Sequence, residues 1–335
     1  MHTIDLSKYS LRTDLIVEAN DQTNYKTTTK EINDIKIETT ISSDKVSRYT
    51  TVSFSDISDK DNHKKVEEIF INELKEYLTK IKLKETDPIL VVGLGNSAST
   101  PDSLGPETIK QVLVTRYLFS IGEVEDGYRN VAAITPEVTA TTGIETSEFI
   151  TSLVKDISAK LLIVIDALAS SSLSRVGKTI QITNTGIHPG SGIGNNRQEI
   201  SSKKLGLPVI AIGVPTVVDA TTIVSDTFQY MTKQFSYKLN NIDNHLLKLV
   251  PLEKQNYLEE DTPLPAETKK EILGEIGTLT EEEFKQLIYE VLSPINYNLM
   301  VTPTEIDFLI SKLSLLIGNG INKSLHRHFN PTNTK

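Results

Sequence analysis

The chain has 335 residues, with 35 basic against 44 acidic side chains and a formal net charge of −9 at pH 7. It contains no cysteine, which excludes disulfides, thiolate nucleophiles and cysteine-ligated metal sites. No apolar stretch approaches the roughly 20 residues that span a bilayer, and the acidic balance argues against nucleic acid as a direct ligand. We expect a globular cytoplasmic protein with neither a membrane nor a nucleic-acid partner, since residues 1–5 open no export signal.

The first third of the chain shows two clear periodicities. The first 25 residues are polar and predict a tail or a loosely attached strand. Residues 34–54 alternate apolar and polar positions, which predicts a β-hairpin turning near residues 42–45. Residues 61–84 carry apolar side chains at helical spacing, which predicts an amphipathic helix.

A central block alternates short apolar strands with helical patterns. This alternation predicts an α/β fold with a largely parallel central sheet covered by helices on both faces. In such sheets the ligands bind in crevices at the carboxyl ends of the strands. The strands are predicted at 89–92, 131–134, 161–165 and 209–213, and the helices at about 105–118, 145–158 and from 220. After residue 235 the chain turns polar, and helices at about 266–275, 280–293 and 303–318 predict a C-terminal helical appendage.

The exit of the first of these strands is rich in glycine. Gly93, Gly95 and Ala98 fit the G-x-G-x-x-G/A spacing, so one interpretation is a non-catalytic nucleotide-binding protein that uses the Gly93–Ala98 loop. Pro101 opposes it by breaking the helix that this motif must enter. Asp102 opposes it as well, because its negative charge lies where pyrophosphate would bind.

Two aspartates follow two of the predicted strands. Asp102 lies in the loop after the first strand, and Asp166 follows five apolar residues of the third. If both reach one crevice, one carboxyl group holds a proton while the other acts as a base. Such a pair activates water and protonates a leaving amine, as hydrolysis of a peptide bond requires. The alternative is purely structural: a helix N-cap at Asp102 and a strand-end turn at Asp166.

A second candidate region lies in residues 185–197. Gly190 and Gly192 let this loop approach a peptide backbone closely, His188 offers an imidazole, and Arg197 can bind a substrate carboxylate. We therefore predict substrate-binding roles for these residues. His188 can also join Asp102 and Asp166 as ligands of one divalent ion, or it is only a hydrogen-bonding loop residue. A further acid, Asp219, precedes a predicted helix and is interpreted as its N-cap.

Three stretches together resemble the germination protease family of spore-forming bacteria, whose members degrade small acid-soluble spore proteins. They are residues 93–106, 165–169 and 185–197, in the expected order. Residues 12–19 also look like the family's self-processing site. The resemblance covers essentially the full length of the chain, and the combination is far more specific than any one motif.

The resemblance implies a self-processing zymogen, cut between Asp14 and Leu15, that then cleaves spore proteins after an acidic residue. It implies catalytic roles for Asp102 and Asp166 without a cofactor, or a metallopeptidase in which His188 joins them. It also implies a homotetramer in the spore core and a fold similar to the hydrogenase-maturing endopeptidases. The predicted organisation is a propeptide at 1–14, a catalytic α/β domain at 15–235 and a helical region at 236–335.

Overall fold

The structure is a computed structural model that describes residues 13–18, 24–188, 198–245, 249–251, 256–259, 262–292 and 299–329. The strands are β1 (Tyr25–Ile32), β2 (Ile35–Ser42), β3 (Arg48–Ser53), β4 (Ile89–Gly93), β5 (Val131–Ile134), β6 (Leu161–Ser170), β7 (Thr179–Thr183), β8 (Val209–Asp219) and β9 (Met300–Val301). The helices are α1 (Lys60–Thr79), α2 (Leu104–Ile109), α3 (Arg116–Ile121), α4 (Thr139–Thr142), α5 (Thr146–Asp156), α6 (Ser202–Leu205), α7 (Ala220–Asn240), α8 (Ala266–Leu273), α9 (Glu281–Leu292) and α10 (Ile306–Leu325).

These elements fall into two compact units. The larger holds β1–β7, most of β8, α1–α6 and α10, and the smaller holds the end of β8, α7–α9 and β9. Helix α10 belongs to the larger unit because its apolar face joins the core beneath the sheet. The predicted division of the chain at residue 235 stays a prediction, since the compact units follow packing rather than chain order.

The sheet runs in the order β1-β2-β3-β7-β8-β6-β4-β5. Strand β4 pairs in parallel with β5 and β6, whereas β1–β2, β2–β3, β3–β7 and β7–β8 are antiparallel. The α/β class is therefore confirmed, but the expectation of a largely parallel sheet is wrong. Continuous apolar strands signal burial on both faces, and an antiparallel strand that is covered on both faces has the same composition.

The two faces of the larger unit's sheet are covered differently. One face packs Ile163 and Ile212 against α1 and α10. The other packs Leu162 and Val164 against α5. Because side chains alternate along a strand, the α5 face of β6 continues beyond Val164 with Asp166, Leu168 and Ser170. This end of the α5 face carries the candidate site.

Several local predictions can be compared directly with the structure. The N-terminal hairpin is confirmed as β2 and β3, which pair antiparallel. The helix predicted over 61–84 is α1, and the Asp59 side chain caps it by accepting the Asn62 N–H at 2.8 Å. The helix predicted over 105–118 is instead split into α2 and α3, because Thr115 between them donates its N–H to Val131 of β5 at 3.0 Å.

Side chains cap two helices of the smaller unit, and the N-cap predicted at Asp219 is confirmed. Asp219 accepts the N–H of Thr221 at 2.7 Å and so caps α7. Thr280 and Glu283 form the reciprocal pair of a capping box at the start of α9, with N···O distances of 2.8 and 3.2 Å. The C-terminal helices predicted from residue 266 onward are present as α8, α9 and α10. Across the described ranges, no helix combines the length and apolarity needed to cross a membrane.

A buried histidine, His326, connects the end of α10 to the loop before β5. It follows the last turn of α10 and is only 1% exposed. Its Nδ1 accepts the N–H of Arg129 at 3.1 Å, so the ring is held as a neutral acceptor. Burial lowers the pKa of His326 to about 4. The imidazole is therefore a structural part of the larger unit.

Candidate active site

The glycines after β4 let the backbone of the following helix come very close. A Cβ at Gly93 would lie 2.3 Å from the carbonyl oxygen of Gly105, and one at Gly105 would lie 2.1 Å from that of Leu94. Gly95 has a φ of +115°, and a Cβ there would lie 1.9 Å from the carbonyl oxygen of Asp102. The glycine pattern is thus explained by internal packing that fixes the position of Asp102.

Asp102 ends a 3-10 turn, Thr100–Asp102, that packs against β6. Its Oδ2 and its carbonyl oxygen both accept the N–H of Asn96, at 3.0 and 3.1 Å. The N-cap position of α2 belongs to Ser103, so the expectation of an N-cap at Asp102 is wrong. A phosphate bound in this loop would need free backbone N–H groups, and the carboxylate already accepts the one from Asn96. This geometry gives no support to the nucleotide-binding interpretation.

Asp166 lies where β6 extends beyond the end of its neighbouring strand β4. Strand β4 ends with Gly93 opposite Ile165, and Leu94 still donates its N–H to the Ile165 carbonyl at 2.8 Å. Asp166 is the next residue of β6; it is 6% exposed, and its Oδ1 accepts the N–H of Ala167 at 2.9 Å. Asp166 thus lies where β6 passes the carboxyl end of the parallel strand β4, and Asp102 lies in the loop that follows β4. Their catalytic roles stay a prediction.

The segment Thr13–Glu18 docks on the end of β6. Asp14 donates its N–H to the Ala169 carbonyl at 3.1 Å, and its Oδ2 accepts the Ala169 N–H at 2.9 Å. Leu15 is 1% exposed. Ala169 lies three residues beyond Asp166, which is about 10 Å along an extended strand. The bond predicted to be cut, Asp14–Leu15, thus docks on the strand that carries one of the two candidate carboxylates.

Two further side chains fix this segment in place: Glu18, at the end of the segment itself, and Gln181 of β7. Neither was predicted from the sequence as a binding residue. Glu18 accepts a hydrogen bond from Ser170 Oγ at 2.7 Å and forms an ion pair with Arg175 at 3.3 Å. Gln181 contacts the backbone of Asp14 and Ile16. Glu18 lies within residues 12–19, which resemble a processing site, whereas Gln181 is one polar residue inside an apolar strand and gave no comparable signal.

A cavity of about 270 Å³ adjoins the docked segment. It is lined by Asp14, Tyr49, Gln181 and the exposed His188, among others. Burial raises the pKa of the Tyr49 phenol, so this side chain remains a neutral hydrogen-bonding group at physiological pH. His188 therefore lies beside the predicted cleavage segment, consistent with a substrate-binding position.

The other predicted residues of the loop, Gly190, Gly192 and Arg197, lie outside the described residues. Within the parts of the chain that the structure does describe, no group of three or more His, Asp or Glu side chains is placed to hold a metal ion. Asp102, Asp166 and His188 are all described, so they do not form a ligand set in this conformation. The chemistry that Asp102 and Asp166 offer in this arrangement is proton transfer by carboxyl groups.

The comparison with known proteins extends over nearly the whole chain. A family profile described as germination protease matches residues 5–335. The germination protease of Bacillus cytotoxicus (strain DSM 22905 / CIP 110041 / 391-98 / NVH 391-98) is 44% identical, covering 99% of this chain and 98% of the relative. That of Geobacillus sp. (strain WCH70) is 42% identical with the same coverage. That of Priestia megaterium (strain ATCC 12872 / QMB1551) is 41% identical, covering 98% and 97%.

An α/β protein with such relatives is a peptidase, a hydrolase that cuts peptide bonds. More narrowly, the chain belongs to the germination protease family, and its role is that of a protease in spore germination.

Proposed function

We propose that this protein is a self-processing endopeptidase that cuts its own chain between Asp14 and Leu15. It then degrades small acid-soluble spore proteins by cutting after an acidic residue. The single observation that carries the proposal is the docking of Asp14 on Ala169, in the strand that holds Asp166. Asp102 ends the loop that packs against the same strand.

The proposed chemistry needs one ionised and one protonated carboxyl group. The ionised member of the Asp102/Asp166 pair takes a proton from water as the water oxygen attacks the carbonyl carbon of Asp14. The protonated member gives its proton to the Leu15 nitrogen as the C–N bond breaks. The products are a carboxylic acid on Asp14 and a free amine on Leu15, so atoms and charges balance. If the two carboxyl groups approach each other in this partly dry site, they favour the shared-proton state.

The substrate class and cellular setting extend the family assignment. The named relatives are germination proteases, which implies protein substrates in spores. We propose small acid-soluble spore proteins as those substrates, the spore core as the compartment and a homotetramer as the assembly. Native mass spectrometry of the full chain tests the assembly, because a tetramer of 37.2 kDa subunits has about four times the subunit mass. A monomer at all concentrations contradicts it.

The decisive experiment measures intact mass during incubation at mildly acidic pH. The wild-type chain is expected to lose residues 1–14, whereas Asp102→Asn and Asp166→Asn remain uncut. Asp156→Asn, at the exposed end of α5, is the matched control and should process at the wild-type rate. Processing that persists in either site variant contradicts the paired-carboxylate mechanism. Loss of processing in wild type with a chelator, restored by a divalent ion, favours the metal-dependent alternative with Asp102, Asp166 and His188.

The pH dependence and the role of the N-terminal segment are tested separately. Because one carboxyl group must hold a proton, cleavage of a fixed peptide should accelerate as the pH falls from neutral toward mild acidity. A flat profile from about pH 5 to 8 contradicts this mechanism. We also propose that the segment excludes substrate before it is cut. A chain lacking residues 1–14 should be active at once, and a folded but inactive product counts against exclusion.

A further inference from the structure

We infer that Gln181 is a main-chain clamp, whose side-chain amide binds the peptide backbone on both sides of the bond to be cut. The inference rests on the proposed function in taking Asp14–Leu15 as that bond. It adds a binding residue for the N-terminal segment and, after processing, for the protein substrates. The clamp contacts backbone atoms only.

The position of Gln181 follows from the alternation of β7. Ile180 and Ile182 pack into the core beneath α1 and α10. Gln181 therefore lies on the opposite face, which is the face that carries Asp166. Its partner across the sheet is Gly213 of β8. A Cβ at Gly213 would lie 2.4 Å from Leu168 Cδ1, so Leu168 occupies the space that a side chain at this position would fill.

The amide of Gln181 contacts the docked segment through both of its polar atoms. Nε2 donates to the carbonyl oxygen of Asp14 at 3.1 Å, and Oε1 accepts the N–H of Ile16 at 2.9 Å. A carbonyl oxygen only accepts and an amide N–H only donates, so the partners fix the orientation of the Gln181 amide. The two contacts flank Leu15. The clamp thus spans the predicted cleavage bond.

The bound segment is turned rather than extended, since Ile16–Glu18 form a 3-10 helix. A clamp that contacts only main-chain atoms binds a peptide whatever its side chains, which suits an enzyme that cuts several different proteins. Gln181 is 6% exposed. When the segment leaves, a buried amide loses two hydrogen-bond partners, which costs free energy. An incoming peptide restores both bonds. Processing leaves Leu15 as the new N-terminus, so the remaining residues up to Glu18 must first vacate the clamp.

The test uses two synthetic peptides with the sequence of residues 9–20. In the second, an ester oxygen replaces the N–H at the position of Ile16, so this peptide lacks the hydrogen bond to Oε1. The processed wild-type protein should cut the ester peptide with a kcat/KM roughly fivefold lower, the effect of one neutral hydrogen bond. Gln181→Leu should cut the normal peptide more slowly and show little difference between the two peptides. Equal ester-to-amide ratios in wild type and Gln181→Leu overturn the inference.

The matched control is Thr179→Val, on the same face of β7 two residues away. Thr179 is buried, and its hydroxyl has no hydrogen-bond partner among the described residues. It should keep the wild-type ratio between the two peptides. The ratio is independent of which groups perform the chemistry. Retained cleavage in Asp102→Asn or Asp166→Asn therefore removes the proposed mechanism and leaves the result for Gln181 standing.

A second readout does not need activity. In the full, unprocessed chain, the Ile16 amide should exchange with deuterium at least severalfold faster in Gln181→Leu than in wild type or Thr179→Val, because it loses its hydrogen bond to the Gln181 side chain. If no variant cuts either peptide, this measurement decides. Faster exchange supports the clamp, and unchanged exchange overturns it.

Discussion

Replacing Gly95 with alanine tests whether the loop after β4 has the geometry described for Asp102. The new Cβ would lie 1.9 Å from the carbonyl oxygen of Asp102, at a φ of +115°. The backbone strain alone costs about 1–3 kcal/mol, and relief of the overlap must displace the backbone of the Asp102 turn. We expect a loss of at least about 3 kcal/mol, which for a unit of this size lowers the thermal midpoint by roughly 6–12 °C.

Gly206→Ala is the matched control for this substitution. Gly206 has a φ of +71°, but a Cβ there would meet no heavy atom within 4 Å. It should therefore cost only about 1 kcal/mol, or roughly 2–4 °C. Thermal unfolding of the two variants separates overlap from backbone strain, and intact-mass assays at a temperature where both are folded report on Asp102. A Gly95→Ala midpoint no lower than that of Gly206→Ala would refute the close approach, as would unchanged self-processing.

Two further predictions concern an ion pair and a buried histidine. Glu18→Gln removes the charge that faces Arg175, so we expect severalfold faster hydrogen exchange in residues 13–18. Glu107→Gln breaks only the exposed ion pair with Lys110, and it should leave the exchange of residues 13–18 unchanged. His326 has a pKa of about 4 in the folded protein and about 6.5 unfolded, so the unfolded chain binds more protons and stability falls as the pH drops from 6.5 toward 4. Between pH 7 and 4.5 this loss of stability is about 2 kcal/mol. Urea midpoints should show the loss in wild type and in the exposed-site control His328→Gln, but not in His326→Gln. Equal losses in all three proteins would contradict the prediction.

The elements predicted well from the sequence are those with one buried and one exposed face, because their apolar residues then follow a clear strand or helix period. The hairpin of β2 and β3 alternates cleanly, and α1 carries its apolar residues at helical spacing. Strand β1 was not predicted, because it is almost entirely polar and exposed. Its position is fixed by pairing with β2, which a search for apolar periodicity does not detect.

The strand directions show a different limit. An apolar run such as that of β8 indicates burial on both faces of the sheet. Whether the strand pairs in parallel or antiparallel depends on which segments lie beside it. Here the N-terminal hairpin adds β3 to β7, a contact between residues about 130 positions apart. Local patterns carry no information about such a contact, so the antiparallel pairing of β3 with β7 could not be predicted.

The candidate site divides in a similar way. Asp102 and Asp166 could be named as candidates because both follow apolar strands, and the exits of parallel strands meet at one edge of a sheet. Their catalytic roles stay a prediction. Gln181 was missed because a single polar residue in a strand has many structural explanations. Only the structure shows its two hydrogen bonds to the backbone of Asp14 and Ile16, from which the clamp is proposed.

The burial of Leu15 means that the proposed cut changes the environment this residue requires. As an internal residue, its nitrogen is an uncharged amide and its side chain is 1% exposed. Once freed, the same nitrogen becomes an α-amine with a pKa near 8, and at mildly acidic pH it is positively charged. The Leu15 N–H is donated to the Thr13 hydroxyl at 3.1 Å, and Thr13 leaves with residues 1–14. The new charged chain end therefore loses the partner that held its amide, whereas the buried leucine side chain must leave its apolar position before the end can reach water.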